Sequence, residues 1–322
     1  MIITKTPFRI SFVGGGTDLE EYYKTGYGAV VSAAINKYMY ITVNKRFDDS
    51  IRVSYTKTEI VDSVDEIQHE LVRECMKMVG ITKGIEITSI SDIPAGTGLA
   101  SSSCFTVGLL NALYTYVGDR LSAHELAEKA CEIEIDRLGH PIGKQDQYAA
   151  SYGALNYFQF NKDNTVDRRR IYMPDFEFKK MDRKLMMFYT GISRNADTVL
   201  CDQKKETSNK LAVLDEMRDQ AGVMEQMLKE EGFNRKFGEM LNEGWMRKRT
   251  ISSKITSSEI DVIYQKALDA GAVGGKLLGA GGGGFLLIYC DEEKQEAVQK
   301  TVGLKQLDFR ISPYGSRVVY FV

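Results

Sequence analysis

Histidine is scarce in this chain, with only His69, His124 and His140 in 322 residues. The five cysteines, Cys75, Cys104, Cys131, Cys201 and Cys290, are scattered and no two form a CxxC pair. No Cys/His cluster has ligand spacing, so a zinc site is not expected. Most of the cysteines fall within apolar or helical patterns and read as reduced, partly buried thiols. No GxSxG elbow occurs, which removes the usual nucleophile turn of a Ser-His-Asp hydrolase. No GxxxxGK[ST] string occurs either, which disfavours a P-loop NTPase. Lys and Arg number 42 against 44 Asp and Glu, for a net charge of −2. That balance lacks the basic surplus of a chain built for nucleic acid or an anionic membrane. The opening MIITKTPFRISFVGGG has no long apolar core and reads as a strand. With no signal peptide or membrane span visible, the cytoplasm is the expected location.

What is present describes an ordinary globular protein, 43% hydrophobic and 27% charged. Its length suggests about two domains. Strands are expected at Ile10–Val13, Tyr38–Asn44, Ile51–Tyr55, Ile85–Ile90 and Ala154–Phe160. Helices are expected at Val64–Val79, Ser102–Val117 and His124–Leu138. The last has Ser122 and Glu125 as a capping box and Gly139 as its stop. The second half opens with a strand at Lys184–Tyr189. Helix follows over Ala196–Lys229 and Phe233–Met246, then Ile260–Ala270, with Thr256 and Glu259 as a capping box. Strands at Phe285–Tyr289 and Arg317–Val322 complete the chain. No internal repeat or low-complexity linker marks a boundary. A division near residue 180 gives domains of 1–180 and 181–322.

Three glycine-rich loops stand out. Pro94-Ala95-Gly96-Thr97-Gly98-Leu99-Ala100-Ser101-Ser102-Ser103 follows a β-like run and feeds an apolar helix. Small residues there let backbone N–H groups approach an anion, and a helix N-terminus favours phosphate. An ordinary loop with a serine N-cap has the same composition. The second loop, Gly279-Ala280-Gly281-Gly282-Gly283-Gly284, formally fits GxGxxG. A strand follows it where a dinucleotide fingerprint would open a helix, so a Rossmann site is not expected. Close approach to a ligand or another backbone accounts for so many glycines better than a plain turn does. The third loop, Gly14-Gly15-Gly16-Thr17-Asp18, follows Pro7-Phe8-Arg9. Taken alone, Arg9 could be a solvated strand-end residue and Asp18 a helix cap.

Two more carboxylates are candidates. Glu134 shares a helical stripe with Ala127 and Ala130, either facing a packed surface or sitting at its solvated edge. Asp146 lies in the polar turn Gly143-Lys144-Gln145-Asp146-Gln147, as a functional carboxylate or a turn residue. Their co-occurrence with the loops fits phosphoryl transfer. That chemistry needs phosphate-cradling N–H groups, hard oxygens for Mg²⁺, a cation at the moving phosphoryl and a carboxylate at the acceptor.

In this order the motifs resemble the GHMP family of small-molecule kinases. Pro94-x-Gly96-x-Gly98-Leu99-x-Ser101-Ser102 matches the family's PxGxGLxSS phosphate loop, and Gly279 to Gly284 its GAGxGG loop. Arg9 through Asp18 matches the N-terminal segment. The resemblance implies an α+β fold, with an N-terminal ribosomal-protein-like α/β domain and a C-terminal ferredoxin-like domain. It implies ATP and Mg²⁺ as cofactors. Pro94, Gly96, Thr97, Gly98, Leu99, Ala100, Ser101, Ser102 and Ser103 would bind the ATP phosphates, and Ser102 and Glu134 the magnesium. Asp146 and Arg9 would be catalytic. Gly15, Gly16, Thr17, Asp18, Lys144, Gln145, Arg194, Gly281, Gly282 and Gly283 would meet the substrate. Galactokinases carry Glu-His where this chain has Gly15-Gly16, which opens room and removes a negative charge.

Gly-Gly-Gly-Thr-Asp, Ile142 to Gln147, Thr190 to Arg194 and Trp245-x-x-Lys248-Arg249 look most like the D-glycero-D-manno-heptose 7-phosphate 1-kinase branch. Lys5, Lys144, Arg194, Lys248 and Arg249 are candidate cations for a phosphate on the sugar. The expected partners are therefore ATP and a sugar phosphate, with no nucleic acid and no membrane. The oligomeric state stays open, a homodimer included. The alternatives are a kinase for an unphosphorylated sugar such as L-fucose or galactose, and a non-catalytic sugar sensor on the same scaffold.

Overall fold

The computed structural model describes residues 1–192 and 196–322. The first sheet is built from β1 (Ile2–Val13), β2 (Tyr27–Lys45), β3 (Ile51–Ser54), β4 (Thr58–Val61), β5 (Ile85–Ser91), β6 (Leu155–Asn161) and β7 (Val166–Arg170). The second holds β8 (Leu185–Tyr189), β9 (Gly274–Leu277), β10 (Phe285–Tyr289) and β11 (Lys305–Gln306) in the order β11-β8-β10-β9. The last strand, β12 (Arg317–Phe321), returns to pair antiparallel with β1. Strands β1 to β7 and the returning β12 thus make the first sheet, and β8 to β11 the second. The path β12-β1-β2-β5-β3-β4 forms the first sheet, and β6 joins it to β7 from β2. Strand β2 is 19 residues long and serves two neighbours, β6 along Tyr27–Ala33 and β5 along Met39–Lys45. Only part of it is legible as a strand in the sequence, because small and polar residues interrupt its apolar run.

The helices of the first half are α1 (Glu20–Tyr23), α2 (Glu70–Val79), α3 (Ser101–Tyr116), α4 (Ala123–Cys131), α5 (Gln145–Tyr152) and α6 (Asp175–Lys184). Helix α3 is buried on nearly all sides, as an all-round apolar helix must be. It docks directly on β1: Thr4 donates from its hydroxyl to the Gly108 carbonyl at 2.9 Å. A Cβ on Gly108 would lie 2.7 Å from the Thr6 hydroxyl. This close seat fixes where the N-terminus of α3 points. In the second half, α7 (Ala196–Glu206), α8 (Leu211–Glu230), α9 (Arg235–Lys248), α10 (Ser258–Asp269) and α11 (Gln295–Val302) surround the smaller sheet. Phe12 of β1 meets Phe237 of α9 edge-on at 5.0 Å between ring centres, so one core runs through both halves.

Several boundaries differ from the sequence expectation. The helix expected at Val64–Val79 is a short 3₁₀ turn, Val64–Glu66, followed by α2. Glu59 accepts from the Gln68 and His69 N–H groups and holds the break between them. The helix expected over Ala196–Lys229 divides at Thr207–Asn209. The capping box at Ser122 and Glu125 is present. At α10 the cap is Ser257, which accepts from the Ile260 N–H, whereas Thr256 turns its hydroxyl to Asp261. The helix at His124–Leu138 is α-helical only to Cys131 and widens to a π-helix over Glu132–Arg137. The cysteines are all free, and burial pushes the Cys75, Cys104, Cys131 and Cys290 thiols up. Among the described residues no helix is long and apolar enough to cross a membrane.

Candidate active site

The phosphate loop owes its shape to left-handed backbone at Gly96 (φ 75°), Gly98 (φ 81°) and Ala100 (φ 71°). Alanine pays a steric cost for that conformation, so the surrounding contacts must hold it. The second glycine loop does so, backbone against backbone. A Cβ on Gly98 would lie 2.5 Å from the Leu278 carbonyl oxygen, one on Gly279 2.5 Å from the Gly98 Cα, and one on Gly284 2.3 Å from the Thr97 oxygen. Glycine is required on both sides of this seam. Gly281 and Gly283 press in the same way on the backbones of Ile255 and Ile192, and Gly282 donates to the Ile255 carbonyl. Gly281, Gly282 and Gly283, expected to touch the substrate, here pack against the backbones of Ile255 and Ile192. The part of that loop that lines the cleft is Gly279 and Ala280.

Arg9 sits on β1 beneath the phosphate loop and is only 3% exposed. Its Nε and Nη2 donate to the two carboxylate oxygens of Asp146 at 2.6 and 2.7 Å. Its Nη1 donates to the Gly98 carbonyl at 2.8 Å. A planar guanidinium is suited to such a two-pronged contact. One side chain therefore ties the carboxylate of α5 to the phosphate loop, and the reading of Arg9 as a solvated strand end does not hold.

Glu134 lies in the π-helical turn and is fully buried. It accepts from the Ser102 hydroxyl on one oxygen and from Gln147 Nε2, at 2.7 Å, on the other. Burial raises its pKa, against the hydrogen bonds of Ser102, Gln147 and Ser103. No cation faces it among the described residues. Ser102 itself is exposed in the first turn of α3. A solvated edge position for Glu134 is thus overturned, and π-helical turns are common where a helix must aim a functional side chain.

The third loop forms the opposite wall. A Cβ on Gly14 would lie 1.9 Å from the Ala29 oxygen, so the turn packs on β2. Thr17 is fully buried, with its hydroxyl within hydrogen-bond reach of the Gly14 and Ala29 carbonyls and accepting from the Ala29 N–H, so its side chain pins the loop to β2. Asp18 does not cap α1. It accepts from the Gly16 N–H, Gln145 Nε2 and the Gln145 N–H. Burial, helped by the charge of Asp146, raises its pKa. Gly15 and Gly16 leave space beside Ser11, Lys248 and Gln203.

Of the candidate cations among the described residues, only Lys248 reaches this cleft. It is 4% exposed, donates to the Gly279 carbonyl at 2.6 Å, and burial lowers its pKa to about 8. Lys144 donates instead to the Asn164 carbonyl, over the Tyr23 ring. Lys5 rests on the Tyr38 ring, and Arg249 pairs with Asp261. Arg194 lies outside the described residues. Sequence reasoning missed Lys276, 4% exposed in β9 with no hydrogen-bond or ion-pair partner among the described residues. Burial, then the charges of Lys248 and Arg9, hold its pKa well below that of a free lysine. Its position directly ahead of the second glycine loop was the available signal. Gln203, also missed, comes from α7, where no motif points to it.

Arg9, Asp18, Asp146, Lys248 and Gly279 thus line one cleft between the halves. A carboxylate and a guanidinium stand beside a phosphate-sized loop at a helix N-terminus, the parts that phosphoryl transfer requires. Residues 66–154 match the family of GHMP kinases N terminal domains, and residues 224–306 that of GHMP kinases C terminal. A D-glycero-alpha-D-manno-heptose 7-phosphate kinase of Campylobacter jejuni is 30% identical over 98% of this chain and 97% of its own. A galactokinase of Pyrococcus furiosus is 28% identical over 100% of this chain and 97% of its own. The crystal structure of a D-glycero-D-manno-heptose 1-phosphate kinase from Bacteroides thetaiotaomicron superposes with a TM-score of 0.84 over 100% of both chains, at 23% identity, and shares the fold. The chain belongs to the GHMP kinases and is a phosphotransferase acting on an alcohol group.

Proposed function

We propose that this kinase transfers the γ-phosphoryl of ATP to the anomeric hydroxyl of D-glycero-D-manno-heptose 7-phosphate, giving the 1,7-bisphosphate and ADP. The observation that carries the reading is the fork between Arg9 and Asp146, whose third arm rests on Gly98. It supports reading Asp146 as the carboxylate that meets the acceptor, because the fork holds it beside Gly98. In this reading the anomeric oxygen bonds to the γ-phosphorus as the bond to the β,γ-bridging oxygen breaks. ADP leaves with that electron pair. Asp146 orients the hydroxyl and takes its proton, and Arg9 stabilises charge on the moving phosphoryl. The left-handed loop and the first turn of α3 receive the ATP phosphates.

Magnesium fits the donor set at Ser102 and Glu134. A buried carboxylate without a cationic partner stands beside a hydroxyl at the helix start, and Mg²⁺ takes one or two protein oxygens together with substrate phosphates. Bound there, the ion would neutralise charge on the β- and γ-phosphates. Asp18, Gln145, Gly15 and Gly16 meet the sugar, and the buried ammonium groups of Lys248 and Lys276 favour an acceptor that carries its own phosphate.

The 30% identical heptose 7-phosphate kinase supports this substrate, and the galactokinase relative supports a free sugar as the second reading. ADP release measured across heptose 7-phosphate, galactose and L-fucose separates them, with NMR of the anomeric phosphate to identify the product. Preference for a free hexose would overturn the heptose reading. ATP and sugar binding without ADP release would favour a sensor.

A further inference from the structure

We propose that Gln203 is a specificity-determining residue for the sugar acceptor, donating from Nε2 to one of its hydroxyls. The proposal rests on reading the protein as a sugar kinase. Gln203 projects from the inner face of α7, one turn after buried Val199, and lines the cleft with Arg9, Asp18 and Asp146. It is 1% exposed, and its Nε2 has no hydrogen-bond partner among the described residues. Unlike the unpartnered Trp245 Nε1 in the core, this donor belongs to a residue that lines the cleft, where a ligand can supply its acceptor.

The chain makes room for this amide. A Cβ on Gly16 would lie 2.3 Å from Gln203 Nε2 and 3.5 Å from its Cδ. Gly16 also has a φ of +108°, which L side chains rarely adopt. Gly16 is thus what admits Gln203 to the wall of the cleft.

Two further buried groups, beside Gly15, complete a pattern suited to a polyol. Gln145 spends its Nε2 on Asp18, which leaves its Oε1 buried and without a donor. Ser11 Oγ is also unpartnered, 3.3 Å from where a Gly15 Cβ would stand. One donor, one acceptor and one hydroxyl that can be either match neighbouring hydroxyls. In this arrangement the uncharged Gln203 amide takes a hydroxyl, and a phosphate on the acceptor falls to the ammonium groups nearby.

The test is steady-state kinetics of Gln203→Ala and Gln203→Met, with heptose 7-phosphate and free hexoses as acceptors and thermal unfolding as the control for folding. Methionine keeps most of the volume and removes the amide. The expected result is an acceptor KM raised about 5- to 100-fold in both variants, with the ATP KM and the unfolding midpoint unchanged. An unchanged acceptor KM in both variants overturns the proposal. A parallel rise in the ATP KM, or loss of folding in both, also overturns it by marking a packing role. If the wild-type protein ignores heptose 7-phosphate but phosphorylates a hexose, the heptose reading fails alone, and the same comparison on that hexose decides Gln203. A wild-type protein that neither binds nor phosphorylates any of these sugars overturns both.

Discussion

Lys248→Met should stabilise the protein at neutral pH while impairing it as a kinase. Burial lowers the Lys248 pKa to about 8, from 10.5 for an ordinary lysine. The unfolded chain therefore binds this proton more tightly than the folded one. Stability rises with pH wherever the unfolded state holds more protons, here between about pH 8 and 10.5. Below pH 8 the full cost of the buried charge is present, on the order of 3 kcal/mol. Methionine removes that cost and fills similar volume, but it leaves the Gly279 carbonyl without its donor, which costs about 1–3 kcal/mol. The net gain at pH 7 should be on the order of 1 kcal/mol. It is assisted by relief of Lys276, whose ammonium Lys248 disfavours.

The sharper quantity is the pH dependence of the difference between the two proteins. Urea unfolding at pH 7 and pH 10 should show the advantage of the variant falling by about 2–3 kcal/mol as the wild-type lysine loses its proton. At the upper end the sign should reverse, because only the lost hydrogen bond remains. A stability difference that stays constant over this range would refute the argument that a desolvated charge sits at this position. On activity, the expected change is a raised KM for an anionic acceptor, with a smaller effect on a free sugar.

Asp146→Asn should lower kcat by about 10²–10⁴-fold, the range for a positioned acid–base group, and single-turnover ADP release with saturating ATP will read it. Unchanged turnover would remove Asp146 from the chemistry. Ser102→Ala and Glu134→Gln should each raise the Mg²⁺ concentration for half-maximal activity by about tenfold or more, measured by titration at fixed ATP. A Mg²⁺ response like that of the wild type would refute the metal assignment. Gly98→Ala places a methyl 2.5 Å from the Leu278 oxygen at a φ of +81°. It should cost about 1–3 kcal/mol in urea unfolding and raise the ATP KM, whereas a variant of normal stability and ATP affinity would show that the seam between the loops yields freely.

Much of the site was legible because its chemistry is local in sequence. The PxGxGLxSS string, the GAGGGG string, Arg9, Glu134 and Asp146 could each be singled out from residue type and neighbours. Their partners could not, because partnership is set by tertiary packing. Thr17 and Asp18 are adjacent, yet one turns to the backbone of β2 and the other to Gln145. Lys144 stands two residues from Asp146, but α5 turns its ammonium to Asn164. Lys248 and Arg249 are neighbours too. The helical step of about 100° sends one into the cleft and the other to Asp261. The length of β2 was equally hidden, since its two halves are held by different strands.

The same logic explains why so many polar groups at the cleft lack partners. Ser11 Oγ, Gln145 Oε1, Gln147 Oε1 and Gln203 Nε2 are buried and unsatisfied among the described residues, and the Lys276 ammonium is buried beside them. Elsewhere in the fold some buried polar groups are satisfied, as Thr4 by Gly108 and Glu177 by Lys180 and the Phe233 N–H, and others are not, as Ser32 Oγ, Ser151 Oγ, Trp245 Nε1 and Tyr289 Oη. What sets Ser11, Gln145 and Gln203 apart is their place beside Gly15 and Gly16, where a bound acceptor can meet them. Phosphoryl transfer gains most from groups already fixed in place before substrate arrives, since positioning and electrostatics carry that reaction. The backbone-to-backbone glycine seam supplies the rigidity and the unpaired side chains supply the stored demand. A substrate that satisfies them recovers part of the stability that the empty site forgoes.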